Sequence, residues 1–499
     1  MSSTPAANPV SAPAATHPVR PGFVEIKEGS ASMLYDEKEA VFYNKVQVLN
    51  RDLSIQVIKL YAEIREREKT QRYEQKLAKY NELLQSNPAP PATPSSPPPS
   101  APSSSSSSSY SRGQIKPPYS LPAGIHILDA LAATGLRSVR YLKEIPLVRH
   151  VTINDLEAAA TEQALQNCQA NGVDMDKVSI HTGDAVGFMY DKRSPVDNFD
   201  VIDLDPYGTA SPFLDSAMQA ISDGGLLNVT CTDMAVLCGS FPEKCFSLYG
   251  SVPLKAGYVH ENALRILLHA METAANRHKK HIVPWLSLSV DFYIRVFCRV
   301  YESPQEVKRS LLKRGMIYQS HQCPSFYIQP VGTSSTTRRG NELNFYGAPV
   351  TVPPVCEATG GKLRLGGPIW TDPIHRQDIV DELLERMQPG SSHAALSATR
   401  PRLMGILTAL SEEVKSSPLY YCLPELCSAL QCITPTTLEV QAALINGGYL
   451  VSQFHHNPTA IKVCQSNVNF SMPVKGRIYR NHDQIVTNCV PSRPHGYQD

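Results

Sequence analysis

Apolar and polar positions alternate with period two over residues 22–33 (GFVEIKEGSASM), which predicts that order begins there as extended chain. From Val41 the pattern changes. Aromatics and the cluster Asn50-Arg51-Asp52 lead into helical spacing through Leu53, Val57, Leu60 and Ile64, and charges of alternating sign carry the helix on as a solvated face (REREKTQRYEQKLAKY). Between about residues 123 and 300, short apolar runs alternate with helical segments, the signature of βαβ units around a mostly parallel sheet. Strands are predicted at 126–131, 151–155, 178–181, 200–204 and 226–230, with helices at 136–145, 157–170, 213–221 and 260–279. Residues 285–301 (WLSLSVDFYIRVFCRVY) read as a long alternating strand near the end of the sheet, in the manner of an edge pair. Beyond Glu302, a helix at 308–315, loops rich in glycine and proline, and helices near 376–388 and 402–415 predict a second, α+β domain.

Length and composition change this picture in two places. A chain of 499 residues exceeds what one hydrophobic core usually organises, so two domains plus irregular segments are expected. Residues 1–21 read as a disordered tail and residues 86–112 as a flexible Pro/Ser-rich insertion, because neither buries enough apolar surface to offset the entropy of ordering. No apolar run approaches the roughly 18–20 residues of a membrane span, so no membrane association is expected. Twelve cysteines without regular spacing, in a chain with no secretory signal, predict reduced interior thiols. Within the first 20 residues, acids are missing and Ala and Ser abound, as in transit peptides, but the prolines and single arginine argue against an amphipathic targeting helix. A net charge of +1 excludes a field over the whole surface, so any nucleic-acid contact has to be a local patch.

The candidate chemistry sits at predicted strand ends. In doubly wound folds ligands bind outside the carboxyl ends of the strands. The first strand ends in Asp129, followed by a turn of small residues to Gly135 that lets a ligand approach backbone N–H groups, although the G-x-G-x-x-G spacing is missing. At the second strand end, Asp155 is placed to accept hydrogen bonds from a ribose diol, and the third ends in Gly183-Asp184-Ala185, a place for an acid near an adenine amino group. The competing reading is that each acid caps the helix that follows.

The fourth strand ends in Asp203-Leu204-Asp205-Pro206-Tyr207-Gly208, where an acid followed by a proline and an aromatic resembles the Asp/Asn-Pro-Pro-Tyr signature of amino-directed methyltransferases. An exocyclic amine on a base is a poor nucleophile because its lone pair is delocalised into the ring. A carboxylate accepting its N–H localises that pair as the methyl group arrives, and an aromatic stacks on the base for ~1–3 kcal/mol. The competing reading is a turn and nothing else.

The strings FYNKVQVLNRDLS, DALAATGLRSVR, IDLDPYG, CTDMAVLCG and GGPIWTDPIH, in this order, resemble the eukaryotic and archaeal tRNA guanine-26 N2-dimethyltransferase family, from about residue 23 to about 465. The resemblance implies an α/β fold: a Rossmann-like class I methyltransferase domain over 22–301, interrupted at 86–112, and an α+β C-terminal tRNA-binding domain over 302–499. It implies that S-adenosyl-L-methionine methylates the N2 of a tRNA guanine once and then twice. Asp205 matches the family's catalytic acid, with Pro206 fixing the turn and Tyr207 in the aromatic position against the base. Arg51 and Arg137 match methyl-donor contacts, Arg137 toward the donor carboxylate. Asp155 matches the ribose-binding acid and Asp184 and Ala185 the adenine-end contacts, with Asp129 joining the same pocket. Phe42 matches a second aromatic near the base, or is an ordinary core phenylalanine.

One departure stands out. Where the family often carries two Cys-x-x-Cys pairs suited to zinc, this chain reads Ser320-His321-Gln322-Cys323 and Cys356-Glu357-Ala358-Thr359, so no structural zinc is expected and no metal ligands are assigned. Cys422, Cys427 and Cys432 are expected as core thiols. Basic clusters lie at 277–280, 308–309 with 313–314, 338–339, 400–402 and 475–477, four of the five beyond residue 300, which points to the second domain as the tRNA grip. The family suggests nucleus and cytoplasm, with a mitochondrial pool; protein partners cannot be named. Alternatives are an amino methyltransferase acting on adenine or glutamine, and an inactive RNA-binding chaperone of the same fold.

Overall fold

The computed structural model describes residues 23–36, 43–86, 122–336, 343–391 and 397–465. The expected tail, the expected insertion beyond Ser86, Phe42 and the basic clusters at 338–339 and 475–477 lie outside the described residues. The chain opens with a hairpin, β1 (Phe23–Glu28) and β2 (Ala31–Asp36), followed by the long helix α1 (Val48–Ser86). Then come β3 (Ile125–Asp129), α2 (Leu136–Glu144), β4 (Val148–Asp155), α3 (Ala158–Ala170), β5 (Val178–Thr182), α4 (Ala185–Asp191) and β6 (Phe199–Leu204). The sheet continues through α5 (Leu214–Ala220), β7 (Ile221–Cys231), α6 (Met234–Leu237), α7 (Pro242–Tyr249), α8 (Val259–Arg277), β8 (Lys280–Val290) and β9 (Tyr293–Glu302).

Beyond it lie α9 (Pro304–Arg309), β10 (Arg314–Ser320), β11 (Phe326–Pro330), β12 (Gly332–Thr336), β13 (Leu343–Gly347), β14 (Leu363–Trp370), α10 (Gln377–Arg386) and α11 (Arg400–Glu412). The last described elements are β15 (Tyr421–Cys422), α12 (Leu423–Leu430), α13 (Thr437–Asn446), β16 (Tyr449–Phe454) and β17 (Asn457–Gln465).

Seven strands form the central sheet in the order β5-β4-β3-β6-β7-β9-β8. The first five are parallel, β9 runs antiparallel to β7, and β8 runs antiparallel to β9. The chain runs outward from β3 to β5 and returns to β6 on the other side of β3, so the strand order reverses between β3 and β6, where an α/β sheet opens its crevice. Alternation along each strand separates two layers. Leu128, Ile202 and Leu227 pack with α5 and α8, whereas Ile127, Val201 and Leu226 pack with α1, α2 and α3. Residues beyond 302 enter both layers: Ile317, Trp370, Ile374 and Phe454 join the first, and Val380, Leu383 and Leu407 the second.

Two expectations are corrected. Residues 285–301 are not one strand, because the chain turns back at Asp291 and Phe292, with Asp291 in the left-handed region (φ 49°) that Asp enters more readily than most residues. Nor is 308–315 one helix: α9 ends at Arg309, a 3₁₀ turn covers Ser310–Lys313, and Arg314 already pairs in β10. The helix expected from Leu53, Val57, Leu60 and Ile64 is observed as α1, but its first half is enclosed all round, with Asn50, Asp52, Ser54 and Gln56 buried as well as Val57, Ile58 and Tyr61, and only its second half is solvated. Ile58 is fully buried, so Ile58→Ala should cost about 2–5 kcal/mol in urea unfolding, whereas Lys76→Ala on the exposed half should stay within about 0.5 kcal/mol.

Candidate active site

The crevice between β3 and β6 holds a buried charge cluster. Asp203, near the end of β6, is 1% exposed, and Arg295 of β9 is 0% exposed. Arg295 Nη1 and Nη2 donate to the two Asp203 oxygens at 2.9 and 2.7 Å, and the Tyr141 hydroxyl donates to Oδ2 at 2.6 Å. The same guanidinium donates to Thr230 Oγ1 at 2.8 Å and to Ser54 Oγ at 2.9 Å, joining β7 and α1 to the pair. Burial opposes the Asp203 charge, yet the Arg295 and Arg137 guanidiniums hold its carboxyl well below the usual carboxylate range. Arg137, at the start of α2, donates to Ser54 Oγ at 3.1 Å and to the carboxylate of Asp205. Burial works against its charge too, but Asp205 and Asp203 raise its affinity for the proton well above normal. Asp129 faces the same space, accepts from Ser138 Oγ at 2.7 Å, and is pushed by burial up to about 7.

Asp205 begins the loop that leaves this cluster, Pro206 is buried, and Tyr207 is 75% exposed. The loop is clamped to the end of β7: Gly208 N–H donates to Thr232 Oγ1 at 2.8 Å and Thr232 N–H returns to Gly208 O at 2.9 Å. Gly208 has φ 84°, which a side chain would strain. A second anchor runs from Thr209 Oγ1 to the Tyr249 hydroxyl at 2.6 Å, and from Tyr249 to the Asp233 carboxylate at 2.9 Å.

The neighbouring strand end supplies acceptors. Asp155 takes the Ala133 N–H at 2.8 Å and the Glu157 N–H at 3.1 Å, which ties it to the small-residue turn after β3. Ala133 has φ 48°, and a Cβ on Gly135 (φ 72°) would stand 2.8 Å from the Ala164 Cβ, so the turn is made of small residues because α3 lies against it. Asp184 caps α4, accepting from Val186 and Gly187 N–H at 3.2 and 2.9 Å, as the competing reading supposed; Ala185 behind it is 3% exposed. Arg51 is committed elsewhere: Nε and Nη2 both reach Glu28 at 2.6 Å.

Thus Asp129, Arg137, Asp205, Pro206 and Tyr207 are brought together and Asp155 joins the turn beside them, whereas Arg51 lies in the ion pair with Glu28 and Phe42 is outside the described residues. Sequence reasoning missed Arg295, Ser54, Tyr141 and Tyr249. An arginine inside the apolar alternation of 293–301, and Asn50 and Ser54 spaced by four on a face of α1 that is otherwise apolar, were the signals to follow. Two basic cluster members are already paired: Lys280 is buried and donates to Met218 O and Ile221 O at 2.7 and 2.8 Å, and the exposed Arg402 meets Asp291 at 2.6 Å.

The family model described as N2,N2-dimethylguanosine tRNA methyltransferase matches residues 22–472. A mouse tRNA (guanine(26)-N(2))-dimethyltransferase is 39% identical over 88% of this chain and 65% of its own length, so the match spans just under two thirds of that relative. A Drosophila melanogaster protein of the same name is 41% identical over 85% of this chain and 70% of its own. Among solved structures, Trm1 from Pyrococcus horikoshii in complex with S-adenosyl-L-methionine superposes with a TM-score of 0.65 at 24% identity, covering 88% of this chain and 96% of that one. That likeness shows the fold, an α/β domain around the seven-stranded sheet with a further C-terminal region.

The two titrations have opposite signs. Asp203 is held below its ordinary value of about 4, so the unfolded chain binds the extra proton and the pair's stability is present above about pH 4 and lost as pH falls. Arg295→Met leaves the carboxylate buried without its bidentate partner, should cost about 3–5 kcal/mol at neutral pH, and is read by urea unfolding. Asp129 is raised, so between about pH 4 and about 7 the folded chain keeps a proton the unfolded one has lost, and stability declines as pH rises through that window. Asp129→Asn should flatten that part of the stability profile.

Proposed function

The chain belongs to the N2,N2-dimethylguanosine tRNA methyltransferase family, and from that premise we propose that it methylates the exocyclic N2 of guanine 26 in tRNA once and then twice, with S-adenosyl-L-methionine as donor. The observation that carries the reading is the loop Asp205-Pro206-Tyr207, which leaves a buried charge cluster at the strand-order reversal with a partly exposed carboxylate and an outward aromatic.

The residues present fit the donor. Each Asp155 oxygen takes one backbone N–H and keeps a lone pair for a ribose hydroxyl. The turn from Ala130 to Gly135 is small enough for close approach of a ligand, and Asp184 and Ala185 stand at the next strand end for the adenine edge. Arg137, already facing carboxylates, suits the carboxylate of a methionine moiety. The donor supplies an electrophilic methyl group.

Asp205 then accepts an N2–H of the guanine, drawing the nitrogen lone pair out of conjugation, and takes up the proton that the methylated amine releases. Tyr207 stacks on the base and holds the amine toward the carboxylate. Pro206 and the Gly208–Thr232 clamp restrict the loop, so the acid and the aromatic keep one relative orientation. After the first transfer one N2–H is left, and the same carboxylate serves the second. The region beyond residue 302 grips the tRNA body, and residence in nucleus and cytoplasm with a mitochondrial pool belongs to the same proposal.

Asp205→Asn keeps size and one acceptor but loses the base, so single-turnover methylation should fall ~100- to 10,000-fold while donor affinity by calorimetry is little changed. Near wild-type turnover would sink the assignment. Asp155→Ala should instead weaken donor binding by about 1.5–3 kcal/mol, the worth of a charge-assisted hydrogen bond, and unchanged affinity would remove Asp155 from the pocket.

A further inference from the structure

The two half-kept cysteine pairs beyond residue 302 meet in space. Ser320 ends β10 and Cys323 lies in the turn between β10 and β11, while Cys356 and Thr359 belong to the loop that runs into β14. Cys323 Sγ stands 3.6 Å from Cys356 Sγ and 3.3 Å from Ser320 Oγ. Both segments are pinned: Ser320 N–H donates to Ser325 O, and Cys356 N–H to Gly361 O, each at 2.8 Å. Glu357 N–H donates to the Tyr327 hydroxyl at 3.0 Å and ties the loop to β11. His321 turns instead to the guanidinium of Arg364, and among the described residues no group of three or more His, Cys, Asp or Glu is arranged to hold a metal ion.

We propose that Cys323 and Cys356 are a peroxide-sensitive dithiol that closes to a reversible disulfide, a covalent staple between the β10–β11 turn and the loop before β14.

Three features favour this pair over the other thiols. The sulfurs already touch, so bond formation requires a small approach rather than backbone displacement. Burial raises the Cys356 thiol, but hydrogen bonds from Ser320, Thr359 and the amides of residues 358 and 359 outweigh it and bring the group down to about 6. By contrast, burial pushes Cys168 and Cys238 up to about 11 and Cys231 and Cys245 up to about 12. A cavity of about 430 Å³, lined by Tyr258, Ser320, Cys323 and Cys422 among others, opens onto Cys323 and is wide enough for hydrogen peroxide, while Cys356 lies buried behind it.

The chemistry balances with one equivalent of peroxide. The Cys356 thiolate takes the Cys323 proton, and the Cys323 sulfur, which faces the cavity, attacks one peroxide oxygen; the O–O bond breaks, a sulfenic acid at Cys323 and hydroxide result, and the proton first given up by Cys356 turns that hydroxide into water. Cys356 then attacks the sulfenic sulfur, the S–S bond forms, and the proton it took from Cys323 leaves with the departing hydroxyl as a second water. Two thiols are oxidised by two electrons in total, and the peroxide is reduced.

The test treats the fully reduced, full-length chain with stoichiometric hydrogen peroxide and maps its peptides by mass spectrometry. The expected product is one cross-link joining the Cys323 and Cys356 peptides, two hydrogens lighter and reopened by dithiothreitol. It should form roughly tenfold or more faster than oxidation of the other thiols. Its rate should rise with pH through about 6, following the Cys356 thiolate. Cys323→Ser and Cys356→Ser, which add hydroxyls beside the hydroxyls of Ser320 and Thr359, should each abolish it. Faster linkage of Cys427 to Cys432, sulfinic acid at Cys323 without a cross-link, or oxidation no faster than at Cys168, Cys231 and Cys245 would overturn the proposal.

Discussion

Asp203 and Arg295 exchange two charge-assisted hydrogen bonds in a space that water does not reach, and three separate parts of the chain are arranged around that exchange. A carboxylate buried without compensation would lose its charge, and a guanidinium would not stay buried at all. Here β6 provides the acid and β9 the base, while Ser54 of α1 and Thr230 of β7 absorb remaining donors. The antiparallel turn at Asp291 matters for this reason, because it returns the chain so that Arg295 lies beside Thr230 of β7. With Asp203 satisfied, Arg137 can face Asp205 at the rim of the same cluster. The proposed catalytic edge therefore stands on a charge balance beneath it rather than on the loop alone.

The C-terminal region completes the fold around this edge. Helix α10 packs Val380 and Leu383 into the layer that holds α1, and Arg386 pairs with Glu63 of α1 at 2.6 Å. On the opposite layer Arg265 of α8 donates to Trp370 O and Asp372 O at 2.9 and 3.0 Å, and Lys462 reaches Glu261 at 2.9 Å. The methyltransferase sheet and the later elements thus share apolar layers and ion pairs, so strain in one is felt by the other.

What was legible in the sequence follows from which interactions are local. Period-two and helical spacings located β3 to β7 and α1 to α3 because each buries a face set by its own alternation. The place of the Asp205-Pro206-Tyr207 turn at the end of β6 was legible because the apolar run of the strand stops there. The split of 285–301 was hidden, since alternation continues on both sides of Asp291 and only a positive φ marks the reversal. Arg295 looked like one more charge in a strand, and its partner lies 92 positions earlier. Arg51 shows the converse limit: its motif said nothing of Glu28, on a separate hairpin, with which its guanidinium pairs. Pairings between distant residues are decided by topology, which spacing does not encode.

The central claim is that the acid at this edge serves the exocyclic amine of one guanine, and the substrate itself can be made to answer. Two tRNA transcripts, identical except for guanine or hypoxanthine at position 26, would be incubated with the protein and labelled S-adenosyl-L-methionine, and the nucleosides analysed by mass spectrometry. Hypoxanthine keeps the ring, its stacking face and its pairing edge but lacks the N2 amine. The account predicts N2-methyl- and N2,N2-dimethylguanosine from the first transcript and no methyl incorporation into the second; equal labelling of both would contradict it.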